Sequence, residues 1–159
     1  MSRADLAENT CTVARAIELF GDAWMLMILR ETFLGNRRFD DLQRQTGASP
    51  HLLSRRLKRL QDIGVLRREA YSEHPARYDY LLTAMGRDLW PVIISIKSWG
   101  DKWLGEGPHS INIQHKSCGH VVVPQMTCPA CHKSMEAYDA QASLSEEFEL
   151  ERDAIRSPA

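Results

Sequence analysis

No stretch of this chain approaches the roughly 18 to 20 consecutive apolar residues that cross a bilayer. The opening MSRADLAENT has neither the apolar centre nor the small-residue cleavage pattern of a signal peptide. A cytoplasmic protein without a membrane partner is therefore expected. Cysteine is scarce, four in 159 residues, too few for a disulfide scaffold. No HExxH-like pairing of zinc ligands with a general base occurs, so an enzyme is not expected. The overall charge of −1 shows no excess of either sign, yet the charge is unevenly spread. Residues 30–77 carry 11 Arg or Lys against 6 Asp or Glu, whereas residues 140–159 carry 2 against 5. A basic middle and an acidic end suit a polyanion-binding module within a larger chain.

The basic residues concentrate in SPHLLSRRLKRLQDIG, residues 49–64. Ser49 is a good N-cap, and Pro50 fits the first helical turn, where its missing N–H costs nothing. Leu53, Leu57 and Leu60 recur at helical spacing, and Gly64 is suited to end the helix in a left-handed conformation. With the leucines inward, His51, Ser54, Arg55, Arg56, Lys58, Arg59 and Gln61 face out. A solvated basic face is the plain alternative to a nucleic-acid-reading one.

Upstream, Asn9 or Thr10 can cap a helix with Val13, Ala16, Ile17 and Phe20 inward, ended by Gly21. Asp22 can cap a second, in which Trp24, Leu26, Met27, Ile28 and Leu29 leave little polar face. A short helix from about Phe39 to Gln45 follows, ending at Thr46-Gly47, so that with the basic helix it forms a helix-turn-helix. Downstream, VLRREAY and ARYDYLLT alternate as strands around the turn SEHPA. Arg67, Arg68, His74 and Arg77 place charge on that hairpin, residues 72–77 forming its tip. From Thr83 one long helix is expected to about Leu104, with Gly86 and Pro91 as points of weakness. Its stripe of Leu89, Val92, Ile93, Ile96, Trp99 and Trp103 is too large for one small core, which implies a dimer.

These residues resemble the HxlR-type winged helix-turn-helix transcription regulators of bacteria and archaea. The resemblance lies in Cys11-x-Val13, Gly21-x-x-Trp24, Leu34-Gly35-x-x-Arg38-Phe39, Ser49-Pro50-x-x-Leu53-Ser54-x-Arg56-Leu57 and Tyr80-x-Leu82-Thr83-x-x-Gly86, across roughly residues 10–104. It implies a mainly α fold with a small β-hairpin, a winged domain over 8–106 with its dimerisation helix, and a homodimer. Such a dimer would bind double-stranded DNA at an inverted-repeat operator, commonly as a repressor. Where the family typically has Gly-x-Lys-Trp, this chain has Asp22-Ala23, which puts any backbone contact made by that lysine in doubt. On this reading His51, Ser54, Arg55 and Lys58 are candidates near base edges, and Arg38, Arg56 and Arg59 candidates for phosphate, with Ser49 at the helix start and His74 and Arg77 on the wing as further DNA-binding candidates. Cys11 matches a family position that in some members senses oxidants or electrophiles. Its place near a helix start, four residues before Arg15, favours a reactive thiolate, against the commoner fate of a small buried hydrophobe.

The remaining cysteines lie in HKSCGHVVVPQMTCPACH. His115-x-x-Cys118 and Cys128-x-x-Cys131, with nine residues between them, form a zinc-ribbon pattern in which structural zinc is favoured over redox chemistry. His120 or His132 could replace His115, and iron could replace zinc. A Cys-Pro-x-Cys redox motif normally belongs to a thioredoxin-like unit, of which there is no sign. The ribbon-like appendage is placed at 109–139 and an acidic tail at 140–159, the tail being either a helix through Leu144, Phe148 and Ile155 or disordered. The alternative to a DNA-binding regulator is a zinc-dependent protein-interaction module that uses the winged helix as scaffold.

Overall fold

The computed structural model describes residues 6–107 and 110–156. The boundary expected at residue 109 and the last three residues of the tail lie outside them. The chain divides into two units, one through Ile93 and one from Ile94 onward.

In the first unit, α1 (Thr12–Phe20) starts beyond Cys11, whose N–H donates to Asn9 Oδ1 at 2.8 Å. The helix forms as expected, but two of its inward assignments do not hold. Val13 is 64% and Ile17 53% exposed in the single chain, because the spacing four apart shows that they share a face without showing what covers it. Helix α2 (Ala23–Phe33) buries Met25, Ile28 and Leu29 and is capped by Asp22, whose Oδ1 accepts the N–H groups of Trp24 and Met25. It also buries Glu31, which is held by Arg30 and by Asn36 Nδ2 at 2.6 Å.

Helix α3 (Phe39–Thr46) and helix α4 (Pro50–Asp62) are joined by Gly47, buried Ala48 and Ser49. The Thr46 hydroxyl fastens that turn, donating to Leu42 O at 2.7 Å and accepting from Ala48 N. Ser49 Oγ then accepts from Leu52 N, the expected cap. Leu53, Leu57 and Leu60 are at most 1% exposed and join Met25, Ile28, Leu29, Leu42, Val65 and Leu66 in one core.

Strands β1 (Leu66–Glu73) and β2 (Ala76–Leu82) pair antiparallel from Leu66↔Leu82 to Glu73↔Ala76. They leave only His74 and Pro75 between them, joined by a cis peptide bond, so the turn is shorter than the five residues expected. The register slips between Ala70 and Ser72, a bulge at Tyr71. Arg38 forms an isolated bridge with Asp79, and Tyr80 N donates to Arg37 O at 2.7 Å, so the approach to α3 lies along the hairpin.

The long helix expected from Thr83 is two helices, α5 (Ala84–Arg87) and α6 (Trp90–Trp103). Pro91 falls in the first turn of α6, where a proline starts a helix rather than bending one. Thr83 Oγ1 donates to Gly64 O at 2.6 Å and accepts from Gly86 N at 3.1 Å, closing the hairpin onto the end of α4. A Cβ on Gly86 would stand 2.2 Å from Val65 O, so the close approach there requires glycine. The division between units falls inside α6, after Ile93, which packs with Leu89 on the first core.

The second unit contains the remainder of α6, the two-residue strands β3 (Ile113–Gln114) and β4 (Val121–Val122), and α7 (Glu146–Arg156). The strand expected through HVVVPQM is confined to β4. The tail is helical from Glu146, and Leu144 and Ile155 are exposed. Among the described residues no helix is long and apolar enough to cross a membrane.

Candidate nucleic-acid interface

The outward side of α4 follows from its buried leucines. At about 100° per residue, Arg55 projects roughly opposite Leu53, Leu57 and Leu60, with His51 and Lys58 close beside it. Ser49, His51, Ser54, Arg55 and Lys58 are all exposed. Among the described residues Arg55 has no hydrogen bond or ion pair, while Lys58 reaches Asp62 one turn on at 3.1 Å. The helix therefore presents a cation, Arg55, and the hydrogen-bonding side chains of His51 and Ser54 on its outward side.

Arg56 and Arg59 are both ion-paired, and of the two only Arg56 is turned away from that outward side. Arg56 points about 100° away from Arg55 and is only 23% exposed, with Nε and Nη2 bound to the two Asp22 oxygens at 3.0 and 2.8 Å. Arg59 Nη2 meets both Glu18 oxygens at 2.9 and 3.1 Å. Both cations tie α4 to the helices beside it, with Arg59 43% exposed. Burial pushes the Asp22 carboxyl upward, but the Arg56 guanidinium and the Trp24 and Met25 N–H groups outweigh it and hold Asp22 below its usual 3.8.

At the base of the wing, Asp79 faces Arg37 Nε at 3.2 Å and Arg38 Nε at 3.5 Å. The Arg38 guanidinium lies over the bulged Tyr71 ring, 4.5 Å from its centre, and Arg68 lies over Tyr78 at 4.4 Å. Arg37 and Arg38 nevertheless remain 59% and 53% exposed. His74 and Arg77 are exposed at the tip. The sequence reading missed Arg37, Tyr71 and Asp79. The doublet Arg37-Arg38 directly ahead of α3 was the available signal for the first, and nothing local marked the other two.

Cys11 is half-buried and a free thiol. In the second unit His115 Nδ1 lies 3.2 Å from Cys118 Sγ. Cys128 accepts hydrogen bonds from the Cys131 and Ala130 backbone and from the Cys131 thiol, which together hold its thiol below the usual 9.0. Among the described residues no three His, Cys, Asp or Glu side chains converge closely enough to hold a metal ion, so each of the two pairs forms but the four are not brought together.

A family model described as HxlR-like helix-turn-helix matches residues 19–108. An uncharacterized HTH-type transcriptional regulator of Mycobacterium tuberculosis is 42% identical over 128 residues, covering 79% of this chain and 80% of the relative. One from Synechocystis is 35% identical over 113 residues, covering 64% of this chain and 84% of its own length. Among solved structures, the putative transcription factor PA1607 is similar with a TM-score of 0.77 and 27% identity, covering 89% of this chain and 99% of its own. The redox regulator HypR in its oxidized form is similar with a TM-score of 0.55 and 26% identity, covering 62% of this chain and all of its own.

Proposed function

The chain belongs to the HxlR-like helix-turn-helix family and is a DNA-binding transcription regulator, not an enzyme, and we propose that it acts in the cytoplasm as a homodimeric repressor at an inverted-repeat operator. In this reading α4 of each protomer enters a major groove, with Arg55, His51, Ser54 and Lys58 over base edges. Arg37, Arg38, His74 and Arg77 lie along the backbone, and Ser49 marks the end of the helix nearest the DNA. The observation that carries the proposal is the asymmetry of α4. Arg55 is exposed and without a partner among the described residues, directly opposite the buried leucines, while Arg56 is spent on Asp22.

Support for the dimer comes from two apolar stripes. Val13 and Ile17 stand exposed on α1. Val92, Ile96, Trp99 and Trp103 stand exposed on α6, at the spacing of one helix face. A second protomer is the partner this family resemblance supplies for such stripes. Cys11 is proposed as the thiol through which an oxidant would reach the DNA-binding unit, supported by its free state and by the likeness to a structure named as a redox regulator. The use of the winged helix merely as a scaffold for protein interaction is not favoured, since the relatives are named as transcriptional regulators. The segment from 109 to 139 is, in this reading, a structural appendage outside the DNA interface.

Capture of genomic DNA fragments by the purified protein tests the proposal. Enrichment of an inverted repeat near one or a few promoters is expected. Uniform, strongly salt-sensitive binding without enrichment would refute it.

A further inference from the structure

We propose that the loops 115–120 and 128–133 are two halves of one structural zinc site, with His115, Cys118, Cys128 and Cys131 as its ligands. The two loops share one backbone design. In the first, His115 N donates to His120 O at 2.9 Å and Gly119 N to His115 O at 2.8 Å. In the second, Cys128 N donates to Lys133 O at 2.9 Å and His132 N to Cys128 O at 2.8 Å. Each loop sits in a short antiparallel pairing, Gln114↔Val121 for one and Thr127↔Ser134 for the other. Each also turns through a left-handed residue directly after its fourth position, Gly119 at φ 73° and His132 at φ 59°. Among the described residues His132 is the one non-glycine with positive φ. A side chain there is unfavourable, so the turn itself is what the second loop retains.

This equivalence selects among the histidines. His115 corresponds to Cys128 and Cys118 to Cys131, the first and fourth positions of each loop. His132 corresponds to Gly119 and His120 to Lys133, positions that hold no ligand in the partner loop. Within the first loop the assigned pair already meets, His115 Nδ1 at 3.2 Å from Cys118 Sγ. Three thiolates and one imidazole suit a tetrahedral zinc ion.

Burial supplies the independent reason for a staple. From residue 112 to 147 only Ile113 and Cys128 are even half-buried, and all other residues described are exposed. So little apolar burial cannot hold a segment of this length in one conformation, whereas a metal bond can. Because no three of these side chains converge in the described residues, the ion draws together two finished loops rather than entering a finished cage.

The test is metal content of the full-length protein, purified under reducing conditions, with and without replacement of the metal by cobalt(II). About one zinc per chain is expected, and a cobalt spectrum with thiolate charge-transfer bands and the visible bands of tetrahedral coordination. Cys118→Ser, Cys128→Ser, Cys131→Ser and His115→Ala should lose the stoichiometric zinc. His120→Ala and His132→Gly should keep both the zinc and the cobalt spectrum. Absence of stoichiometric zinc together with no cobalt spectrum would overturn the site. Retention in His115→Ala with loss in either control variant would overturn the ligand assignment. Neither readout depends on DNA, so failure here and failure of the operator-binding reading are separable.

Discussion

Asp22 grips Arg56 with both carboxylate oxygens, at 3.0 and 2.8 Å, across 34 residues of sequence. The same Oδ1 caps α2 through the N–H groups of Trp24 and Met25. One side chain thus starts a core helix and fixes the side of α4 that lies next to its outward face.

Removing that carboxylate should cost both functions. Asp22→Ala is expected to destabilise the protein by about 2–3 kcal/mol, the sum expected from a lost cap and lost charge-assisted hydrogen bonds. Asp22→Asn, which can still cap, should lose roughly half as much. Denaturant unfolding of the three proteins measures this. Equal stability of Asp22→Ala and the unaltered chain would show that the pair contributes nothing.

The pH dependence follows from the direction of the shift. Asp22 ionises more readily folded than at its ordinary 3.8, so its contribution is complete above the unfolded value. It is lost as pH falls through the lower folded one. The stability gap between the unaltered protein and Asp22→Asn should therefore be constant near neutrality and shrink below about pH 4. Unfolding curves at several acid pH values check the sign, and a gap that widens on acidification would contradict it.

The wing should supply attraction without reading sequence. Arg77→Ala is expected to weaken operator and random DNA alike and to reduce the slope of log affinity against log salt by about 1. Titrations at several salt concentrations decide this. A loss confined to the operator would place Arg77 at a base edge instead.

An apolar side chain already exposed in one protomer can be charged without disturbing that protomer's core. Ile17→Asp and Trp103→Glu should each leave unfolding of the winged unit nearly unchanged while shifting the protein to monomer and weakening operator binding. Light scattering beside chromatography reads the mass. A stable dimer in both variants would show that these stripes serve something else.

What was legible in the sequence, and what was not, has a physical pattern. The leucine stripe of α4, its Ser49 cap and the turn at Gly47 were readable because each rests on spacing or on one residue's backbone preference. The hairpin was readable from alternation. The outward direction of Val13 and Ile17 was not, since helical spacing groups residues on a face and is silent about what covers it. The ion pair of Arg56 was not legible, because its partner Asp22 is distant in the chain and adjacent only in space. The Tyr71 bulge, which sets a ring beneath Arg38, leaves no mark in an alternating run. Gly86 and Pro91 were visible as interruptions, but not that Gly86 sits against Val65 O and that Pro91 opens a second helix.

The most direct test of the central claim is selection of bound duplexes from random DNA by the unaltered protein and by Arg55→Ala in parallel. The unaltered protein should enrich an inverted repeat whose half-sites lie about one helical turn apart. Arg55→Ala should lose about 1–3 kcal/mol on that repeat and relax the preference at one base pair in each half-site, with random-sequence affinity falling far less. Equal weakening on selected and random DNA would contradict the account, because Arg55 would then contribute charge alone.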